Sequence, residues 1–79
     1  MKELVEFIVK SLVDHPDEVQ VVEVPGHSAT VIELSVSRAD MGRIIGKGGR
    51  VINAIRSLLD VQAARLGQRV SLEIIEDPR

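Results

Sequence analysis

Apolar residues recur along the first half of the chain at two different periods, which predict one helix and two strands. Over residues 2–14 they return every three or four positions, which is typical of one face of an amphipathic helix. Pro16 ends this pattern, because the residue before a proline is disfavoured in the helical region. Residues 19–24 and 29–36 are rich in Val and Ile, and the turn sequence at 25–28 predicts that they form a hairpin.

The second half of the chain predicts two helices followed by a last strand. The stretch SRAD resembles a capping box, in which Ser37 caps a short helix that ends at Ile45. A long helix follows from residue 50 or 51 to residue 66, and Gly67 is the usual residue for its left-handed cap. Residues 70–75 alternate as a strand, before a charged tail that we expect to fray. The order αββααβ predicts an α+β fold, with a three-stranded sheet and helices packed on one face.

The long helix has a broader apolar arc than one packing surface needs. The middle of the arc is formed by Ile52, Ile55, Leu59 and Leu66, and one side is widened by Val51, Ala54, Leu58 and Val61. Two interpretations remain open. The pattern favours deep burial between the sheet and the first helix, and the alternative is an oligomer contact.

Length and composition indicate a small aliphatic domain. With 79 residues, the chain is expected to be a single domain over residues 1–79, with a core at about 19–76 and the helix of residues 2–14 packed on it. Twenty-seven residues are Val, Ile or Leu against a single Phe, and Cys is absent, which excludes disulfides and thiolate metal sites. The N-terminal stretch MKELVEFIVK is interrupted by charges, so we expect a cytoplasmic protein with no membrane contact.

Charge is distributed unevenly along the chain, although the net charge is only −2. Residues 1–37 contain two Lys or Arg against seven Asp or Glu, whereas residues 38–56 contain five against one. The basic segment also holds the glycine-rich stretch RIIGKGGRVI, at residues 43–52. A loop of this kind presents its N–H groups beside the positive end of the following helix, which favours an anion such as a phosphate.

Nucleotide-binding motifs do not fit this stretch. The P-loop pattern fails because only three residues separate Gly42 from Gly46, and Gly48 stands where the metal-binding hydroxyl is needed. The dinucleotide fingerprint fails because Val51 takes the place of its last glycine and no strand leads directly into the loop. Mononucleotide chemistry is therefore disfavoured.

The sequence IIGKGGRVI, at residues 44–52, fits the pattern I-I-G-x-x-G-x-x-I of the KH domain, and it lies between two helices as that family requires. With a helix and a strand ahead of a β-α-α-β core, the chain resembles a type II, prokaryotic KH fold. It is most similar to the small stand-alone bacterial KH proteins of the KhpA type. The resemblance covers nearly all of residues 1–76.

The resemblance implies single-stranded RNA binding, with the loop clamping the backbone of about four nucleotides and the bases in an aliphatic groove. The predicted RNA-binding residues are the four carried over by position, Gly46, Lys47, Gly48 and Gly49, and four beside them, Gly42, Arg43, Ile45 and Arg50. Residues 46–49 would hold phosphates, flanked by Arg43 and Arg50. Ile45 would contribute to the groove or to the core beneath it. Gly42 would either let a base approach or serve as a packing glycine.

The resemblance also implies a role and partners. The expected role is that of an RNA chaperone or post-transcriptional regulator, without a cofactor. One copy should bind RNA weakly, so we expect a homodimer or a heterodimer with a second KH-containing protein. The alternative function is a KH-fold dimerisation or scaffold module with little RNA binding of its own.

An enzyme is not predicted. His15 and His27 lack the Cys, Asp or Glu spacing of a zinc site, and each is predicted to be an exposed turn histidine. No serine lies in a G-x-S-x-G sequence. We therefore expect no catalytic and no metal-binding residues.

Overall fold

The computed structural model describes residues 1–75, and its elements follow the predicted order αββααβ. The helices and strands are α1 (Lys2–Leu12), β1 (Gln20–Pro25), β2 (Thr30–Ser35), α2 (Met41–Ile45), α3 (Arg50–Arg65) and β3 (Val70–Ile74). Short 3₁₀ turns occupy Pro16–Glu18, Arg38–Asp40 and Lys47–Gly49. None of the helices in residues 1–75 has the length and apolar character needed to span a bilayer. The last predicted core residue, 76, and the predicted fraying of the tail lie outside the described residues.

The three strands form one sheet in the order β1-β2-β3. The hairpin prediction is confirmed, since β1 pairs antiparallel with β2 and Val21 lies opposite Leu34. The strand β3 pairs parallel with β2, with Leu72 opposite Ile32. A parallel neighbour needs a crossover connection, and the segment that contains α2 and α3 supplies it.

The core lies between the sheet and the helices on one of its faces, and it is aliphatic as predicted. Its largest fully buried apolar side chains are Ile32, Leu34, Ile44, Leu59, Val5 and Val9. The helix α1 contacts β1, the helix α3 contacts β3, and α2 contacts both of these helices. The two long helices therefore occupy opposite sides of the sheet face, with the short one between them.

This arrangement makes the deep-burial interpretation of α3 wrong. Ile55 and Leu59 are buried, but Leu58, Val61 and Leu66 are 57%, 64% and 54% exposed. The physical reason is that α1 packs over β1, at the other edge of the same sheet face, so it does not cover the outer side of α3. Ala54, Leu58 and Val61 follow one another at helical spacing and are exposed; these three residues are the outer stripe of α3.

The predicted cap at Ser37 is also wrong. A 3₁₀ turn separates Ser37 from α2, and its side chain makes no capping hydrogen bond. Instead, the carbonyl oxygen of Ser37 accepts from the N–H of Asp40 at 2.8 Å. The predicted cap at the other helix is confirmed, because Gly67 has a φ of +67° immediately after the end of α3.

Candidate nucleic-acid interface

The loop between α2 and α3 consists of residues 46–49, and we refer to it as the GKGG loop. Its three glycines, Gly46, Gly48 and Gly49, have φ angles of +75°, +64° and +79°. The N–H of Gly46 donates to the carbonyl of Gly42 at 2.8 Å, and the N–H of Gly49 donates to the carbonyl of Gly46 at 3.1 Å. These turns fold the backbone tightly and leave Lys47 and Gly48 exposed at the tip.

Close packing adds a second constraint at Gly46. A Cβ atom at this position would lie 2.6 Å from Cγ2 of Val51 and 2.8 Å from its backbone nitrogen. At Gly48, by contrast, a Cβ atom would meet nothing within 4 Å. Position 46 therefore requires glycine both for its backbone conformation and for lack of space. Position 48 favours glycine for its conformation alone, because the space around it is open.

The cations of the basic segment divide into two groups. Lys47 and Arg50 are exposed and form no ion pair among the described residues. Arg43 instead reaches the end of α1, where its Nη1 donates to the carbonyl of Leu12 at 3.3 Å and to Oδ1 of Asp14 at 3.2 Å. Both charged side chains of this pair are more than half exposed, so the pair contributes little stability and a phosphate can compete for Arg43.

A further cation, Arg56, contacts the sheet rather than the loop. Its Nε and Nη2 donate to the carbonyl of Leu72 on β3, at 3.2 and 3.1 Å. Its Nη1 donates to Oδ1 of Asn53 at 3.4 Å. The guanidinium group therefore fixes α3 against the edge strand, which the sequence pattern did not indicate.

The two isoleucines of the short helix α2 differ in burial. Ile44 is fully buried in the core, whereas Ile45 is 37% exposed next to the loop. Of the two predicted positions for Ile45, the core is therefore wrong, and the side chain is available at the surface. Gly42 lies one turn earlier on the same side of the helix. A Cβ atom at Gly42 would meet nothing within 4 Å, so the packing interpretation of this glycine is wrong.

The structure also contains a buried carboxylate that the sequence analysis missed. Asp40 is 1% exposed and accepts from the N–H groups of Asp14 and His15, each at 3.0 Å. It also lies 3.1 Å from Nδ1 of His15. His15 is exposed, as predicted, but its ring is bonded. The hydrogen bond with Asp40 raises the pKa of His15, and the backbone N–H of Asp14 lowers the pKa of Asp40.

Comparison with known proteins bears on the whole described region. A family model described as "KhpA/KhpB, KH domain" matches residues 2–74. The chain belongs to this family. A protein of Chlamydia pneumoniae named RNA-binding protein KhpA is 53% identical over 77 residues, which cover 98% of this chain and 99% of that protein. Proteins with the same name from Borreliella burgdorferi and Clostridium acetobutylicum are 53% and 52% identical, covering 94% and 95% of this chain and 90% and 100% of theirs.

Family membership confirms several predictions. The resemblance to KhpA-type proteins is confirmed, and so is the α+β KH fold. The prediction that the chain is not an enzyme is confirmed as well, since its relatives are named RNA-binding proteins. Within residues 1–75, no group of three or more His, Asp or Glu side chains is placed to hold a metal ion.

In this KhpA/KhpB KH domain, the predicted site residues lie on α2, on the GKGG loop and at the first residue of α3. Lys47 and Arg50 supply positive charge, and Gly42 and Ile45 supply an uncharged surface on the adjoining side of α2. Arg43 points away, toward α1. Exposed positive charge at the loop favours an anion, and the uncharged surface along α2 favours an apolar group.

Proposed function

We propose that this chain binds single-stranded RNA and that the GKGG loop clamps the sugar-phosphate backbone. The observation that supports this most directly is the open, cationic loop, in which Lys47 and Gly48 are exposed and a substituent at Gly48 would meet nothing within 4 Å. A phosphate can therefore approach the main chain. The relatives with 52–53% identity over nearly the whole chain are named RNA-binding proteins, which supports RNA as the source of that phosphate.

Each site residue has a distinct role in this proposal. Lys47 and Arg50 attract phosphates, and the three glycines of the loop let the strand come close to backbone N–H groups. Ile45 and the open surface at Gly42 accept bases, which need no aromatic platform here because an aliphatic surface also covers their faces. Arg43 joins the phosphate contacts only when it leaves Asp14.

The first test is the salt dependence of binding to a short single-stranded RNA. With two or three phosphates neutralised, the logarithm of the association constant should fall with the logarithm of salt concentration with a slope of about −1.4 to −2.1. Fluorescence anisotropy at several salt concentrations measures this slope. A fully base-paired RNA of the same length is the control and should bind more weakly, because its bases cannot lie along α2. Binding that is tight and independent of salt would contradict the clamp.

The proposed cellular role follows from binding without chemistry. A protein that holds an unpaired strand and has no catalytic group changes which RNA structures and partners that strand can adopt. We therefore propose an RNA chaperone or post-transcriptional regulator.

A second proposal concerns the outer stripe of α3. Leu58 and Val61 are more than half exposed, which is unusual for two neighbouring aliphatic side chains on one helix face. The stripe has no charge, so a second copy of the same stripe can pack against it across a two-fold axis. We propose that two copies pair in this way, and that two linked sites raise the apparent affinity for RNA. A second KH-containing protein is the alternative partner.

Placing a charge in the stripe should separate the copies. Leu58→Asp buries a carboxylate in the proposed contact, and we expect the dissociation constant of the dimer to rise at least about tenfold. Ser57→Asp is the matched control, because Ser57 is exposed on the neighbouring side of the same helix. Analytical ultracentrifugation at increasing concentration measures both variants. A wild-type protein that stays monomeric at high micromolar concentration would eliminate the homodimer.

The dimerisation or scaffold alternative predicts a different combination of results. In that case the outer stripe would hold two molecules together, and neither the wild-type protein nor a loop variant would bind RNA.

A further inference from the structure

The orientation of the GKGG loop depends on a helix that is too short to be stable by itself. The helix α2 has only five residues, Met41–Ile45, and an isolated helix of that length is not stable in water. The loop begins at the residue that follows it. Contacts made by α2 with the rest of the protein must therefore fix where the loop lies.

Two residues, Asp40 and Arg43, supply polar contacts that reach the end of α1 and the connection between α1 and β1. At the start of α2, Asp40 accepts from the N–H groups of Asp14 and His15 and contacts the His15 ring. At its end, Arg43 donates to Asp14 and to the carbonyl of Leu12. We use the term clasp for the Asp40 carboxylate together with the three groups that it contacts, which are the N–H groups of Asp14 and His15 and the ring of His15.

The bonds made by the Asp40 carboxylate connect two segments and do not cap α2. It occupies the position before α2 begins, where an Asp side chain commonly caps the helix, but it makes no capping bond. All three contacts of its carboxylate are with residues 25 or 26 positions earlier in the chain. The carboxylate is therefore used to attach α2 to the connection after α1.

We propose that Asp40 is a positioning residue for the GKGG loop and that protonation of His15 tightens the clasp and so strengthens RNA binding. This inference rests on the proposed function of the loop. The ring is the adjustable part, because the two backbone N–H donors keep their protons at any physiological pH while His15 changes charge near neutrality.

The groups around His15 favour its charged form. Asp40, Glu18 and Asp14 all face the ring with negative charge, and the nearest cation of α2, Arg43, is paired with Asp14. The hydrogen bond with Asp40 raises the pKa of His15 above its ordinary value of 6.5. A raised folded-state pKa means that the stabilising contribution is complete below pH 6.5 and is lost as pH rises through the folded-state pKa. Asp40 stays ionised throughout, because its pKa is lowered.

The test compares RNA affinity at about pH 6 and about pH 8 in four proteins. The wild-type protein should bind a short single-stranded RNA about fivefold more tightly at the lower pH. His15→Asn keeps a donor near the position of Nδ1 but does not titrate, so the pH effect should disappear while affinity is retained. His15→Ala should bind weakly at both values. His27→Ala is the matched control and should behave like wild type, because His27 is exposed in the turn between β1 and β2.

The salt dependence of the pH effect distinguishes a positioning role of His15 from simple electrostatic attraction of RNA. If protonated His15 only adds a positive charge, the pH effect should shrink strongly between about 50 mM and about 250 mM salt. If it positions the loop, the ratio of the two affinities should persist. A ratio that collapses at the higher salt, or a His15→Asn variant that keeps the wild-type pH effect, would overturn the proposal.

Hydrogen exchange on the free protein keeps the test independent of RNA. At one pH, His15→Ala should speed exchange of the hydrogen-bonded amides of Gly46 and Gly49 severalfold, with little change for Ile32 and Leu34 in the core. Uniform acceleration, or no change in the loop, would show that the clasp does not position it. If no RNA bound to the wild-type protein but the loop amides responded as expected, the proposed function would fail while the positioning role stood.

Discussion

Replacing both Lys47 and Gly48 with aspartate is expected to weaken binding to short single-stranded RNA by roughly 30- to 150-fold, or about 2–3 kcal/mol. The change removes a charge-assisted contact with phosphate and adds two negative charges at the tip of the GKGG loop. It also puts a side chain where the strand should approach the backbone. Fluorescence anisotropy with the RNA used for the salt series measures the loss.

The double variant should remain folded. Lys47 is exposed, and a side chain at Gly48 meets nothing within 4 Å. The φ of +64° at Gly48 is a left-handed conformation that aspartate adopts at a cost of about 1 kcal/mol. Circular dichroism should therefore give a wild-type spectrum.

The chain provides a matched control for this experiment. In Lys10→Asp/Gly67→Asp, the lysine is exposed on α1, and Gly67 has a φ of +67° with nothing within 4 Å of a Cβ atom. The control therefore has the same charge change and similar backbone strain away from the loop. It should lose only a small part of the affinity. Equal losses in the two variants would indicate general charge repulsion, and unchanged affinity in the folded loop variant would refute the clamp.

The second large effect is expected from Gly46→Ala, which should lower the free energy of unfolding by roughly 2–4 kcal/mol. The angles at Gly46, φ +75° and ψ 169°, belong to a region that is almost exclusive to glycine. In addition, the new methyl group would overlap Val51 at the start of α3. Urea denaturation measures the change.

Gly42→Ala is the control for that substitution, because it lies within α2 and a Cβ atom there meets nothing within 4 Å. Alanine in a helix interior should raise the free energy of unfolding by about 0.5–1 kcal/mol. Similar destabilisation of the two variants would contradict the geometry of the loop. If a base does lie against Gly42, the alanine variant should be more stable but bind RNA less tightly.

Local patterns predicted the features of this protein that local chemistry decides. Helical and strand periods gave the element order, and Gly67 gave the end of α3, because each depends on residues close together in sequence. The glycine-rich stretch between two helices indicated the loop for the same reason. The cap predicted at Ser37 was wrong because a 3₁₀ turn lies between Ser37 and the helix. A capping sequence alone does not exclude that turn.

Contacts between distant segments were not predictable from these patterns. The outer stripe of α3 is as apolar as the buried side, and only the position of α1 on the sheet decides which side is covered. Arg43 was predicted to contact phosphate because it is close to the loop in sequence. Its side chain instead pairs with Asp14, which is 29 residues away in the chain. Asp40 meets His15 across a similar separation, and no periodicity links such residues.

The guanidinium of Arg56 has a consequence for how copies of this protein can assemble. The strand β3 lies at the border of the sheet, and such borders readily recruit a strand from another molecule. An incoming strand would need the carbonyl of Leu72, which already accepts two bonds from Arg56. Growth of a continuous intermolecular sheet is therefore hindered at the β3 border, so a strand from another molecule would pair more readily with β1, the other edge of the sheet.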